Sequence, residues 1–326
     1  MLHNALWLLR LMRPAHQVAL VAIFCGVRYG IVRPWLETNF LQDPFPGAQF
    51  LILLAGGLLL SCGAVLINEY FDWQDDRIAR PENVIVGRHL SRRTVIVWHG
   101  VLTTLGVLAL CYLAFVWRNF YLLFLFPFVA RVLWYYSKLY KQRLVFSVPL
   151  LFLFLFSAVL LPLLFEFLAI NQRLWQAIVV NGLSVWNVLI PGVAYALLIA
   201  LFGLTRAFEK QIRYYAQRTT FRTETLPDRI GVQPAKMVVL ALKTVLFLLL
   251  FAVGASLYTQ QVEVGWIAPV YLALFIGLPL VGSAVVGMGT SEQSPRWARF
   301  LTTVAALFVI LFPLLTSVLG WFPPFP

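Results

Sequence analysis

The chain has 326 residues, of which 61% are hydrophobic and only 12% charged. A soluble domain carries about 25% charged residues, so these proportions exclude a water-exposed globule. The 25 Lys and Arg against 13 Asp and Glu give a formal charge of +12. They are scattered between apolar stretches rather than gathered on one face, which argues for a membrane topology and against nucleic acid as a partner. No polar stretch is long enough for a separate domain, so residues 1–326 are expected to form a single membrane-embedded domain. The opening MLHNALWLLR is too short and too polar for a cleavable signal, and the first apolar stretch is expected to be a retained helix. Cys25, Cys62 and Cys111 all fall inside apolar runs. An odd count without paired spacing points to small buried side chains, not to disulfides or a zinc site.

A helix needs about 20 apolar residues to cross a bilayer. In chain order, the runs that qualify lie near 17–36, 50–70, 94–116, 119–137, 146–169, 184–205, 237–258, 264–287 and 299–319. They are continuously apolar, not alternating, which selects helices over a barrel and predicts an all-α integral membrane protein of about nine spans.

The loops between the runs divide by charge. One set holds Arg77, Arg80, Arg88, Arg92 and Arg93, then Lys138, Lys141 and Arg143, then Arg206, Lys210, Arg213, Arg218, Arg222 and Arg229, and last Arg296 and Arg299. The other set offers mainly Glu37, Asp43, Arg118, Glu166, Arg173 and Glu263. Short loops rich in Lys and Arg stay in the cytoplasm. This predicts a multi-pass protein of the plasma (inner) membrane with Arg10, Arg13 and the amino terminus inside and the tail WFPPFP outside. Two of the cytoplasmic segments, about 71–93 and 206–236, are longer than a connection requires, and each carries ionisable residues into the end of an apolar helix. Charges at membrane depth are costly and mark polar cavities, although arginines at an interface also snorkel.

The second span ends LINEYFDWQDDRIARPENVIVGRHLSRR. Asn68, Asp72 and Asp76 recur four residues apart, so they stack on one helix face, with Glu69 and Asp75 flanking them. Carboxylates at that spacing repel one another, and at a helix C-terminus the macrodipole adds to the cost. A divalent cation would offset it. Magnesium takes few protein carboxylates and completes its octahedron with water and phosphate oxygens, so this ladder, followed closely by arginines, suits a metal-bridged diphosphate. The alternative is an exposed helix end neutralised by Arg77 and Arg80.

This stretch resembles the first aspartate-rich motif of the UbiA superfamily of intramembrane prenyltransferases, and the arginine-rich tail RIARPENVIVGRHLSRR continues the likeness. Arg13-Pro14 looks like that family's amino-terminal signature, and nine spans with two long cytoplasmic loops match its fold. The resemblance implies helices around a cavity, Mg2+ as cofactor, and Asn68, Asp72 and Asp76 as ligands of the metal and of a polyprenyl diphosphate, with Arg80 beside them. Glu69 stands where the family usually has Asp. The segment WYYSKLYKQR resembles a further family stretch and implies that Lys141, with Tyr136 near it, reaches the diphosphate.

The second long loop, TRAFEKQIRYYAQRTTFRTETLPDRIG, resembles the family's second motif region, with Thr225-Leu226-Pro227 and Gly231 supplying the register. In that register Gln211 and Arg218 stand where the family has metal-binding Asp, and Arg213 replaces another acidic residue. Arg206 and Lys210 fit the pattern, and the remaining carboxylates, Glu209, Glu224 and Asp228, fall off it. An arginine cannot ligate magnesium, but it is a good bidentate partner for phosphate. Three readings follow. The chain is a one-metal enzyme in which Arg206, Lys210, Arg213 and Arg218 bind the diphosphate; or it binds a prenyl diphosphate without turnover; or it handles or transports lipid on the same fold.

For an enzyme, the resemblance implies transfer of a polyprenyl group from its diphosphate to an acceptor within the membrane. PENVIVGRHLSRR looks most like members that prenylate a geranylgeranylglycerol-phosphate-type lipid, and an aromatic quinone precursor is the other acceptor class. His89 and His99 lie on the basic side but read as interfacial rather than catalytic. No Gly-rich phosphate loop, Cys/His metal spacing or nucleophile elbow occurs.

Overall fold

The computed structural model describes residues 2–79, 84–170, 172–215, 224–260, 266–289 and 293–318. Its helices, in chain order, are α1 (Leu2–Leu11), α2 (Pro14–Cys25), α3 (Arg33–Thr38), α4 (Gly47–Ala79), α5 (Arg92–Val116), α6 (Phe120–Lys138) and α7 (Leu144–Leu168). They continue with α8 (Gln172–Val180), α9 (Trp186–Tyr214), α10 (Leu226–Ile230), α11 (Val232–Gln260), α12 (Ile267–Tyr271), α13 (Leu278–Gly287) and α14 (Ser294–Val318). Among the described residues there is no strand, and nine helical stretches are long and apolar enough to cross a membrane. All nine fall on the predicted runs. The outward side chains have the character lipid demands: Tyr121, Phe124 and Phe128 on α6 are 88%, 78% and 64% exposed, a surface that water would reject.

Two compact units divide the chain. The first takes its described residues from the stretches Met1–Val21, Phe45–Ser147 and Gln217–Glu224. Its centre is the antiparallel pair α4 and α5, which approach closely because Gly106 faces α4. A Cβ at Gly106 would lie 2.8 Å from the Leu60 nitrogen and 2.9 Å from the Gly56 oxygen, backbone atoms that cannot step aside. Gly63 does the same in the other direction, its vacant Cβ site lying 2.2 Å from the Thr103 hydroxyl oxygen. At the basic end of this pair Leu8 and Leu11 of α1 pack with Leu66, Val86, Leu90, Val95 and Leu102. The connection into α5 folds back in a tight turn, with Gly87 at φ 83° donating to the Leu90 carbonyl at 2.7 Å. Ser91 then caps α5 by accepting the Thr94 amide at 3.1 Å.

The second unit takes its described residues from Ala22–Pro44, Val148–Ala216 and Thr225–Pro326. Its apolar core includes Val27, Leu163, Ala196, Phe202, Leu246, Ile276 and Ala305. Two π-helical stretches, Gly26–Val32 and Leu272–Gly277, interrupt its spans. The first carries the buried Arg28, which donates to Glu166 at 2.7 Å and Asp43 at 2.6 Å, so the guanidinium is compensated twice within the apolar layer.

Candidate active site

The acidic ladder stands where α4 outgrows the bilayer. At 33 residues α4 is about 50 Å long, against about 30 Å of hydrocarbon, so its last turns project from the apolar layer without a break in the helix. Asn68, Asp72 and Asp76 are all half-buried and follow one another at single-turn spacing. Asn68 Nδ2 donates to Asp72 Oδ2 at 3.0 Å. Lys141, on the short turn Tyr140–Gln142 after α6, donates from Nζ to Asn68 Oδ1 at 2.9 Å and also to Asp72 Oδ2. Three of the predicted site residues are thus brought together in one cluster: a carboxylate, an amide oxygen and an ammonium.

The flanking Glu69 is engaged elsewhere. It forms an ion pair with Arg13, whose backbone sits at φ 55° where α1 gives way to α2. A non-glycine residue in that region is strained, and the strain marks the Arg13-Pro14 corner as a place where the chain turns to deliver this guanidinium. Arg80 lies outside the described residues.

Whether the ladder suits magnesium is tested by the cation already seated there. The Lys141 ammonium lies against one oxygen from Asn68 and one from Asp72, which shows that the pair forms a cation seat. Among the described residues no group of three or more His, Cys, Asp or Glu could hold a metal by itself. Magnesium does not require one, because it binds through one or two carboxylates when phosphate oxygens supply the rest. The residues therefore fit a phosphate-bridged ion and not a free-standing metal cage.

The second long segment is built differently. Arg206, Lys210 and Arg213 occur on α9 at spacings of four and three, which sets them along one side of the helix. Lys210 is exposed, the Arg213 guanidinium lies 5.0 Å over the Tyr214 ring, and the buried Nε of Arg206 meets no acceptor among the described residues. Arg218 lies outside the described residues. Gln211, at the position the resemblance assigned to a metal-binding Asp, accepts the Leu226 amide at 2.9 Å and so ties α9 to the start of α10.

Every off-pattern carboxylate of this segment has a structural partner. Glu209 is 5% exposed, pairs with Lys243 at 2.8 Å and accepts the Thr302 hydroxyl at 2.8 Å. Asp228 closes a capping box on α10, accepting the Thr225 amide at 2.8 Å. In the first unit Glu224 accepts the Leu144 amide at 3.1 Å, capping the start of α7. The Glu209–Lys243 and Glu69–Arg13 pairs carry no local sequence signal, since the partners are joined only by tertiary packing.

The two histidines of the basic side are structural. His89 stacks on Trp7 at 3.8 Å, and His99 is buried with Nδ1 2.9 Å from the Gly63 carbonyl.

The UbiA prenyltransferase family matches residues 40–304. No curated protein sequence matches the chain. Among solved structures, a digeranylgeranylglyceryl phosphate synthase is similar with a TM-score of 0.64 at 15% identity, over 97% of this chain and 99% of that one. An apo UbiA homologue from Aeropyrum pernix K1 has a TM-score of 0.62 at 16% identity, over 92% of this chain and 98% of its own. A UbiA homologue from Archaeoglobus fulgidus bound to GPP and Mg2+ has a TM-score of 0.60 at 14% identity, over 96% and 99%. At such identities the neighbours speak for the fold. The family match over most of the chain speaks for descent, and the chain is an integral membrane protein that belongs to the UbiA prenyltransferase family.

Proposed function

We propose that the chain transfers a polyprenyl group from a polyprenyl diphosphate to a lipid or aromatic acceptor at the basic, cytoplasmic edge of the membrane, with Asn68, Asp72 and Asp76 holding Mg2+ against the diphosphate. The observation that carries this reading is the Lys141 ammonium on Asn68 Oδ1 and Asp72 Oδ2, a cation seat at the exposed end of an apolar helix. Bound magnesium would draw charge from the leaving diphosphate. Lys141 holds a phosphate oxygen once it is released from Asp72, and Arg80, close behind the ladder in the chain, supplies a further cation to the same anion. The allylic carbon–oxygen bond breaks with its electron pair leaving on the diphosphate. The acceptor's nucleophilic atom then bonds to that carbon, and its proton passes to solvent. Glu69 is held by Arg13 and is not assigned to the metal.

The 81–93 segment favours a geranylgeranylglycerol-phosphate-type acceptor, through its resemblance to members with that substrate. A quinone precursor is the competing class. Incubating the purified protein in proteoliposomes with geranylgeranyl diphosphate and each acceptor, and weighing the products by mass spectrometry, tests this. A prenylated glycerol-phosphate lipid is expected. A prenylated aromatic acid alone would transfer the chain to the other class. Bound but intact diphosphate with every acceptor would favour a silent relative, a reading that draws on Gln211 and Arg218 standing where the second motif has aspartates.

A further inference from the structure

The second aspartate-rich region of the family would supply further metal ligands, and the residues present here do not fit that task. The stretch 206–236 contains three carboxylates, Glu209, Glu224 and Asp228, against seven Lys and Arg. Residues 216–223, outside the described structure, add no acid to that count. Asp228 is committed to the α10 capping box, Glu224 to the α7 amino terminus, and Glu209 to Lys243 and Thr302. Gln211, the residue in register with a metal-binding Asp, has its side-chain oxygen on the Leu226 amide.

Glu209 is a candidate for a remaining ligand, because its Oε2 has no hydrogen-bond partner among the described residues. It is also sealed. That atom is buried, and Lys243 beside it is 3% exposed, donating to the Ser283 carbonyl at 3.0 Å as well as to Glu209. Recruiting Glu209 to a metal would leave the Lys243 ammonium buried without its counter-ion, which the low-dielectric interior penalises heavily.

We infer that this protein binds its diphosphate with a single divalent ion, because each carboxylate of the 206–236 segment is already committed to a structural partner. The inference rests on the proposed function, since it takes Asn68, Asp72 and Asp76 as the one metal seat.

The test counts ions directly. The full-length protein is loaded with a non-hydrolysable geranylgeranyl thiodiphosphate and titrated with Mn2+, and bound ions are read by electron paramagnetic resonance. One Mn2+ per chain with an uncoupled spectrum is expected. Two ions, or the spectrum of an exchange-coupled pair, would overturn the inference and leave the proposed function standing. Analogue bound with no Mn2+ would overturn both. The metal linkage supplies an independent reading: below saturation the apparent affinity for the analogue should rise about tenfold per tenfold increase in free Mg2+, whereas a rise of about a hundredfold would require two ions. A combined Glu209→Gln and Lys243→Met variant, which removes the buried pair together, should still bind one Mn2+. A count falling to zero in a folded variant would make Glu209 a ligand.

Discussion

Under the proposed function, Asp72 Oδ2 would have to serve two cations in turn. That oxygen takes the Lys141 ammonium, and a metal at the same oxygen would displace it. Under the proposed function Lys141 would be a gatekeeper of the seat as well as a diphosphate ligand, and its removal should have opposite effects on the two. For Lys141→Met, Mn2+ binding in the absence of substrate should tighten, while the KM for prenyl diphosphate should rise about tenfold, the worth of one charge-assisted contact. Metal titration and steady-state kinetics check the two signs separately. The buried pair at α9 offers a second contrast. Breaking it by Glu209→Gln alone should cost about 3–5 kcal/mol, whereas the double replacement Glu209→Gln with Lys243→Met should recover most of that loss in a thermal-unfolding assay. Much of this scale was legible in the sequence, and the part that was not has a common cause. The spacing of Asn68, Asp72 and Asp76 declares a shared helix face. Gln211 reaching Leu226, or Arg28 reaching Glu166 across 138 positions, depends on packing that no local pattern encodes.

The elements show where apolar periodicity is a sufficient guide and where it is not. Hydropathy ends the second span near residue 70, but backbone hydrogen bonding continues through polar residues, and α4 runs to Ala79. That extension holds the ladder rigidly on a helix rather than on a loop. The two π-helical stretches and the amphipathic α8 between the fifth and sixth spans have no counterpart in the expected elements. One extra residue in a turn leaves the apolar composition unchanged, and nine residues are too few to register as a span. The close approach of α4 and α5 also depends on single glycines. Gly106→Val would push side-chain carbon into the backbone of α4. It should lower stability by about 1–3 kcal/mol, read as a reduced melting temperature, and shift the ladder relative to Lys141.

At the scale of the molecule, the class and the spans could be read from the chain because the bilayer admits few solutions, and the family profile and the structural neighbours agree with that reading. The orientation rests on the charge of the loops. A Gln142→Cys variant in a background without Cys25, Cys62 and Cys111 should react with a membrane-impermeant thiol reagent from the cytoplasmic side only, and labelling from outside would invert the topology. The central claim is that the α4 ladder handles the diphosphate of a prenyl substrate. The most direct test measures diphosphate release from geranylgeranyl diphosphate by wild-type protein and by Asp72→Asn, with and without Mg2+, in the presence of an acceptor. Release that requires Mg2+ and falls at least about a hundredfold in Asp72→Asn, some 2.7 kcal/mol of transition-state stabilisation, is expected. Release that is unchanged in the variant would contradict the account.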